Sequence, residues 1–200
     1  MTDVKQEAPA QHAAKKTEKP KSAWAKYDAY IMFFLGLLLF TIGGHFNTSP
    51  MIGNHQLLVA TSAVAPEFKN AVIFVMTHTR GGAQGIIINK PGNGGPLEKD
   101  KVFALHTLDV STNYTQELAD IQLGLVTDPK GIEQLKKAKT KPKWHIIVKG
   151  YAGWGAGQME QEITDSFWSL VEFDQDFVTK TPPAKMWASA HKRSQINITH

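Results

Sequence analysis

Residues 71–89 read AVIFVMTHTRGGAQGIIIN, and this stretch decides the fold. Ala71–Thr77 is dense in β-branched and aromatic residues, the composition of a buried strand. Gly81-Gly82 break the chain, and Gly85–Asn89 supplies a second apolar run, so the pair reads as a β-hairpin. Upstream, Gln56–Ala60 (QLLVA) is a short strand followed by a turn-rich Thr61–Pro66. Downstream, Pro91–Pro96 (PGNGGP) reads as a loop that neither strand nor helix tolerates. Val102–His106, Gln122–Thr127, Lys143–Lys149 and Phe167–Phe173 complete the expected strands. Asp128-Pro129 is a helix start, and Gly131–Ala138 is amphipathic with Ile132 and Leu135 inward. A short helix is expected around Gln158–Thr164. Thr181-Pro182 matches an N-cap with a first-turn proline and opens a final helix carrying Met186 and Trp187. Strands outnumber helices and do not alternate regularly with them. This predicts an α+β fold, a compact mixed sheet with a few short helices over residues 55–192, with a frayed end at 193–200.

The 200 residues contain no cysteine, which excludes disulfide frameworks, thiolate metal sites and cysteine nucleophiles. The net charge of +4 is modest, and its placement is more informative than its size. Residues 1–28 are polar, with Lys15, Lys16, Lys19, Lys21 and Lys26 close together; such a stretch buries too little apolar surface to order itself. Residues 29–46 (AYIMFFLGLLLFTIGGHF) carry no Asp, Glu, Lys or Arg. As a helix they reach about 27 Å, close to a hydrocarbon core of about 30 Å. Trp24, Tyr27 and Tyr30 mark one interface. The rival reading, a cleaved signal peptide, meets a long polar leader and lacks a small-residue cleavage site in Thr41–Pro50. An uncleaved signal anchor is expected, with a linker at 47–54. The lysines precede the span, and Asn47–Phe68 has no Lys or Arg, so the N-terminus is expected in the cytoplasm. The domain would then face the periplasm of a bacterial inner membrane, where nucleic acid is not an expected partner.

Gly150–Glu162 (GYAGWGAGQMEQE) is the most unusual segment. It matches neither G-x-x-x-x-G-K-[ST] nor G-x-G-x-x-G, and Glu160 and Glu162 in the first helical turn would repel a phosphate. It reads as a tight backbone turn around the Tyr151 and Trp154 rings, or as a recognition surface built from Tyr151, Trp154, Gln158 and Glu162. His78, His106 and Asn89 join these as candidate binding residues. Histidines at strand ends commonly satisfy loop backbone. No H-x-x-x-H, H-E-x-x-H or G-x-S-x-G occurs, so neither a catalytic set, nor a metal, nor a cofactor is expected. Carboxylates at 160 and 162 point to different helix faces and make a poor acid–base pair. The lysines at 136, 137, 139, 141 and 143 form a cluster that most simply reads as a solvated face.

Leu57–Thr61 (LLVAT), His78 with Gly82, Gly85–Pro91 (GIIINKP), Gly94–Pro96 (GGP), Phe103–His106 (FALH) and Gly150–Glu162 resemble, in order, the signature blocks of the YqgE/AlgH family. Trp168, Thr181–Pro183 and Trp187 resemble its C-terminal pattern. The resemblance covers about residues 55–192 and implies an α+β fold with no established catalytic mechanism; some members are labelled transcriptional regulators. It also implies two departures. Only Gly92-Asn93 stand between Pro91 and Gly94, where members carry a longer segment containing a helix, and members are typically soluble. Three functions follow as expectations: a tethered binding or regulatory module serving an envelope partner, a hydrolase-like enzyme using His78 or His106 with Glu162, and a cytoplasm-facing regulator.

Overall fold

The computed structural model describes residues 52–196. The expected tail, anchor and first part of the linker lie outside the described residues. Among the described residues no helix is long and apolar enough to cross a membrane.

Nine strands form one sheet: β1 (Leu57–Ala60), β2 (Val72–Thr79), β3 (Gly82–Ile87), β4 (Gly92–Asn93), β5 (Leu97–Thr107), β6 (Gln116–Leu118), β7 (Leu123–Val126), β8 (His145–Gly155) and β9 (Trp168–Val171). The helices are α1 (Pro129–Lys137), α2 (Gln158–Thr164), α3 (Gln175–Lys180) and α4 (Pro183–Ile196). The strand order is β6-β7-β5-β8-β3-β2-β1-β9, with β4 beside β8. Every pairing is antiparallel except β4 with β8. The sheet is therefore mixed and the fold α+β, as expected.

The β2–β3 hairpin forms in the expected place, with Phe74 opposite Ile86 and Thr79 opposite Gly82. Side-chain alternation along these strands feeds two cores. Leu57, Val72, Phe74 and Ile86 point to one face, where Phe177 and Val178 of α3 and Met186 and Ala190 of α4 cover them. Leu58, Ile73, Val75 and Ile87 point to the other, against Met159 of α2 and Trp168. Each fully buried Leu, Ile or Phe contributes about 2 kcal/mol relative to an exposed one. A third cluster lies beneath α1, where Ile132 and Leu135 are inward as the sequence implied.

Four local expectations are corrected. The glycine-rich segment is not a turn from its start: β8 continues through it to Gly155, pairing with β3 from Ala152 onward. Gly150 is required in this strand because the Gly95 and Leu97 carbonyls crowd it, so a composition suggestive of a turn is in part a close-packed strand. Pro91–Pro96 is not wholly loop, since Gly92 and Asn93 pair with Val148 and Lys149. β6 and α3 had no clear periodic signal, being only 3 and 6 residues long. Thr181 closes α3 rather than capping α4, and the first-turn proline of α4 is Pro183. The final helix also runs to Ile196, with Arg193 donating to Asp174 at 2.7 Å and lying over the Phe177 ring.

The connection from β4 to β5 shapes the site-bearing strand. Val148 and Lys149 pair with β4 on one flank and with β5 on the other. The chain must therefore cross β8 within Gly94–Pro96. It does so backbone against backbone: a Cβ on Gly95 would lie 2.1 Å from the Tyr151 carbonyl carbon, and one on Gly150 2.5 Å from the Gly95 oxygen. Only glycine permits this approach.

Candidate functional site

The end of β8 and the start of α2 hold the densest polar network. Gly157, at φ 71°, turns the chain from strand into helix. One turn later Glu162 reaches back: its Oε2 accepts from the Trp154 indole N–H at 2.9 Å and from that of Trp168 at 2.8 Å. Its Oε1 accepts from Gln158 Nε2 at 2.8 Å, while Gln158 Oε1 accepts from the Gly155 N–H at 2.9 Å. The two indoles meet edge to face, with centroids 6.1 Å apart. One carboxylate thus ties β8, α2 and β9 together.

Glu160 points elsewhere, as its spacing predicts, and its Oε1 lies 2.8 Å from His78 Nε2. His78 Nδ1 faces the Ile52 carbonyl at 2.9 Å. The His78 backbone N–H donates to Asn54 Oδ1 at 2.6 Å. His78 therefore clamps residues 52–54 to α2, and neither ring nitrogen is left for a substrate.

The structure brings together four of the seven candidate binding residues: Trp154, Gln158, Glu162 and, through Glu160, His78. The other three lie apart. Tyr151 packs on the opposite face of the sheet, edge-on to Phe103, and donates its hydroxyl to Glu98 at 2.7 Å. That bond raises the Tyr151 pKa above its ordinary value. Asn89 accepts from the Val72 N–H at 2.8 Å and donates to the Asn70 carbonyl at 2.9 Å, extending the hairpin ladder. His106 is fully buried; its Nδ1 donates to the Thr107 carbonyl at 2.9 Å and its Nε2 faces Thr115 Oγ1 at 3.3 Å. His106 shares no partner with His78 or Glu162. Trp154 and Gln158 are themselves buried, and the turn between β8 and α2 presents Gly155, Ala156 and Gly157 to solvent.

Two open depressions occur elsewhere, one on α1 at Pro129, Lys130, Glu133 and Lys137, the other among Thr107, Asp109, Glu117 and Lys143. Neither touches the tryptophan network. Among the described residues no group of three or more His, Asp or Glu side chains is placed to hold a metal.

Sequence reasoning missed one pair. His55, at φ 65°, stacks flat on Phe74 with centroids 5.8 Å apart and bonds Asp120 through Nδ1 at 2.6 Å. The partners are 65 residues apart, so no spacing motif could reveal them. The bond from His55 holds the Asp120 carboxyl below its usual pKa, and the bond from Arg193 does the same for Asp174. A depressed folded-state value means stability that is present above the unfolded pKa of about 3.9 and lost as pH falls through the folded one. Urea midpoints should hold steady from pH 6 to about 5 and fall below about pH 4. Asp174→Asn, which keeps the helix cap, should show a shallower fall; an unchanged slope would remove Asp174 from the acid response.

The family model described as AlgH-like matches residues 92–199, more than half of the chain. The chain belongs to the AlgH-like family. Its relatives include a UPF0301 protein of Photobacterium profundum, 31% identical over 178 residues. A UPF0301 protein of Vibrio cholerae is 29% identical over the same length. Each alignment covers 72% of this chain and 92% of the relative. The AlgH protein from Pseudomonas aeruginosa has a similar solution structure, with TM-score 0.61 and 28% identity over 78% of this chain and 95% of that one. A Corynebacterium diphtheriae protein shares the fold at TM-score 0.55 and 19% identity, over 71% of this chain and 87% of that one. These matches bear out the YqgE/AlgH resemblance. The 178 aligned positions engage under three-quarters of this 200-residue AlgH-like chain, so the relatives carry residues that it lacks.

Proposed function

We propose that this AlgH-like chain is a membrane-tethered binding or regulatory module without catalysis of its own, accessory to a protein partner in the bacterial envelope. Residues 29–46 would span the inner membrane with the N-terminus in the cytoplasm and the domain in the periplasm. One observation carries the non-catalytic reading: the acids and bases of the candidate site are committed to internal bonds, with His78 held at both nitrogens and Glu162 at both oxygens. Such a network fixes a surface rather than moving protons. The surface it fixes is the exposed Gly155–Gly157 tip beside the β2–β3 turn, since Gly155 pairs with Gly82. Short, flat, backbone-rich surfaces suit a protein partner.

A photo-crosslinking residue at Ala156 in the full chain, expressed in bacterial membranes, should give a discrete adduct. The same residue at Lys180, on α3, should not. Equal adducts at both positions, or none at Ala156, would remove the tip as a docking surface. A reporter active only in the periplasm, fused after His200, tests the orientation; a cytoplasmic signal would overturn it and reopen the regulator reading.

A further inference from the structure

The lysine cluster of the sequence becomes a larger face once the chain is folded. α1 lies over one side of the sheet, with Ile132 and Leu135 packed on Ala104 and Val126, and with Val102 and Ile147 against them. Its exposed side carries Lys130, Lys136 and Lys137, and the following loop adds Lys139, Lys141 and Lys143. Strand alternation puts His145 and Lys149 on the same side of β8 as Ile147, and both are exposed. Against seven lysines, residues 129–149 contain one acid, Glu133, which pairs with Lys136 at 3.4 Å and Lys137 at 3.6 Å. The acids around the face are otherwise engaged or peripheral. Asp128 caps α1, Asp109 accepts from Thr107 and the Lys143 N–H, and Glu117 sits on the edge strand β6. Lys141 is partly spent, donating to the Leu135 and Lys136 carbonyls at the end of α1, but its charge stays on the face.

We propose that this face docks on an anionic phospholipid bilayer and holds the tethered domain flat against the membrane. The inference rests on the tethered reading given above. The chemistry favours lipid over nucleic acid. The face has no arginine to fork onto bases or phosphates, and the one large exposed hydrophobic side chain among the described residues is Tyr114. Lysines act as hydrated point charges, which an anionic bilayer attracts without requiring a bidentate geometry. The tether joins the domain at Ile52–Asn54, which His78 holds in place. Tethering thus keeps the face at a high effective concentration beside the headgroups, and several weak charge contacts suffice.

The test is lysine acetylation of the full chain, reconstituted into bilayers of phosphatidylcholine alone or with phosphatidylglycerol, read residue by residue by mass spectrometry. Acetylation of Lys136, Lys137 and Lys139 should slow by about threefold or more in the anionic bilayers, and about 0.5 M salt should abolish the difference. Lys180 on α3 and Lys192 on α4 should label equally in both. Replacing Lys136, Lys137 and Lys139 together by glutamate, all at exposed positions, should remove the lipid-dependent protection of Lys130 and Lys143. Equal labelling in the two lipids would overturn the proposal. So would stronger protection of the same lysines by duplex DNA added to the neutral bilayers. An alkaline carbonate wash separates the two readings: release of the chain would sink the tether, while the footprint on phosphatidylglycerol vesicles would still decide the face.

Discussion

Gly95→Ala is expected to lower stability by about 4 kcal/mol, enough to leave a marginal domain largely unfolded. Two penalties combine. Gly95 has φ 153°, a conformation that L side chains rarely adopt. Its new methyl would also lie 2.1 Å from the Tyr151 carbonyl carbon, 2.3 Å from the oxygen and 2.5 Å from the Ala152 nitrogen. All three atoms are backbone of β8, so no rotamer change relieves the overlap. The strand would have to move, and β8 joins the two halves of the sheet. Gly92→Ala is the matched control: its φ is 76°, but nothing lies within 4 Å of the added carbon. It should cost about 1 kcal/mol, the strain of the left-handed conformation alone. Urea unfolding followed by tryptophan fluorescence measures both. If the two variants fall within error of each other, the β4–β5 crossing is looser than described.

The second large effect is expected at Glu162. Glu162→Ala removes the acceptor of three donors at once, leaving two indole N–H groups and the Gln158 amide unpaired beside buried rings. The cost should be about 3 kcal/mol, with red-shifted tryptophan emission as α2 loosens from β8 and β9. Glu162→Gln is the sharper variant, because it preserves shape. Gln158 cannot turn its amide round to accommodate it, since its Oε1 is held by the Gly155 N–H. An amide at 162 must therefore aim its NH2 either at Gln158 Nε2 or at the two indoles, and both are donors. Glu162→Gln should thus lose about 2 kcal/mol despite being isosteric. A neutral result would mean that solvent substitutes for the carboxylate and that the network is not what holds α2.

Much of this molecule is legible in the chain itself. The β2–β3 hairpin follows from apolar β-branched runs separated by Gly81-Gly82, α1 from Asp128-Pro129 and the spacing of Ile132 and Leu135, and α2 falls where it was expected. The divergence of Glu160 and Glu162 follows from helical geometry. Residues whose chemistry is local are legible in the chain because their neighbours in space are their neighbours in sequence.

The glycines mark the boundary. From the chain, Gly150–Gly157 and Gly92–Gly95 say only that side chains are absent. A glycine freed for a turn and a glycine emptied for a passing backbone have the same composition. Tertiary structure separated them, making Gly157 a turn and Gly95 and Gly150 a crossing. It likewise sent Tyr151 and Trp154 to opposite faces of one strand, and it joined His55 to Asp120 and Lys149 to the lysines of α1. Sequence by itself determined the α+β class, the family, the main strands and the inward faces of the helices, because these depend on periodicity and local propensity. Which polar groups converge, and which surfaces they leave exposed, depends on contacts between distant segments, and only the folded chain decides those.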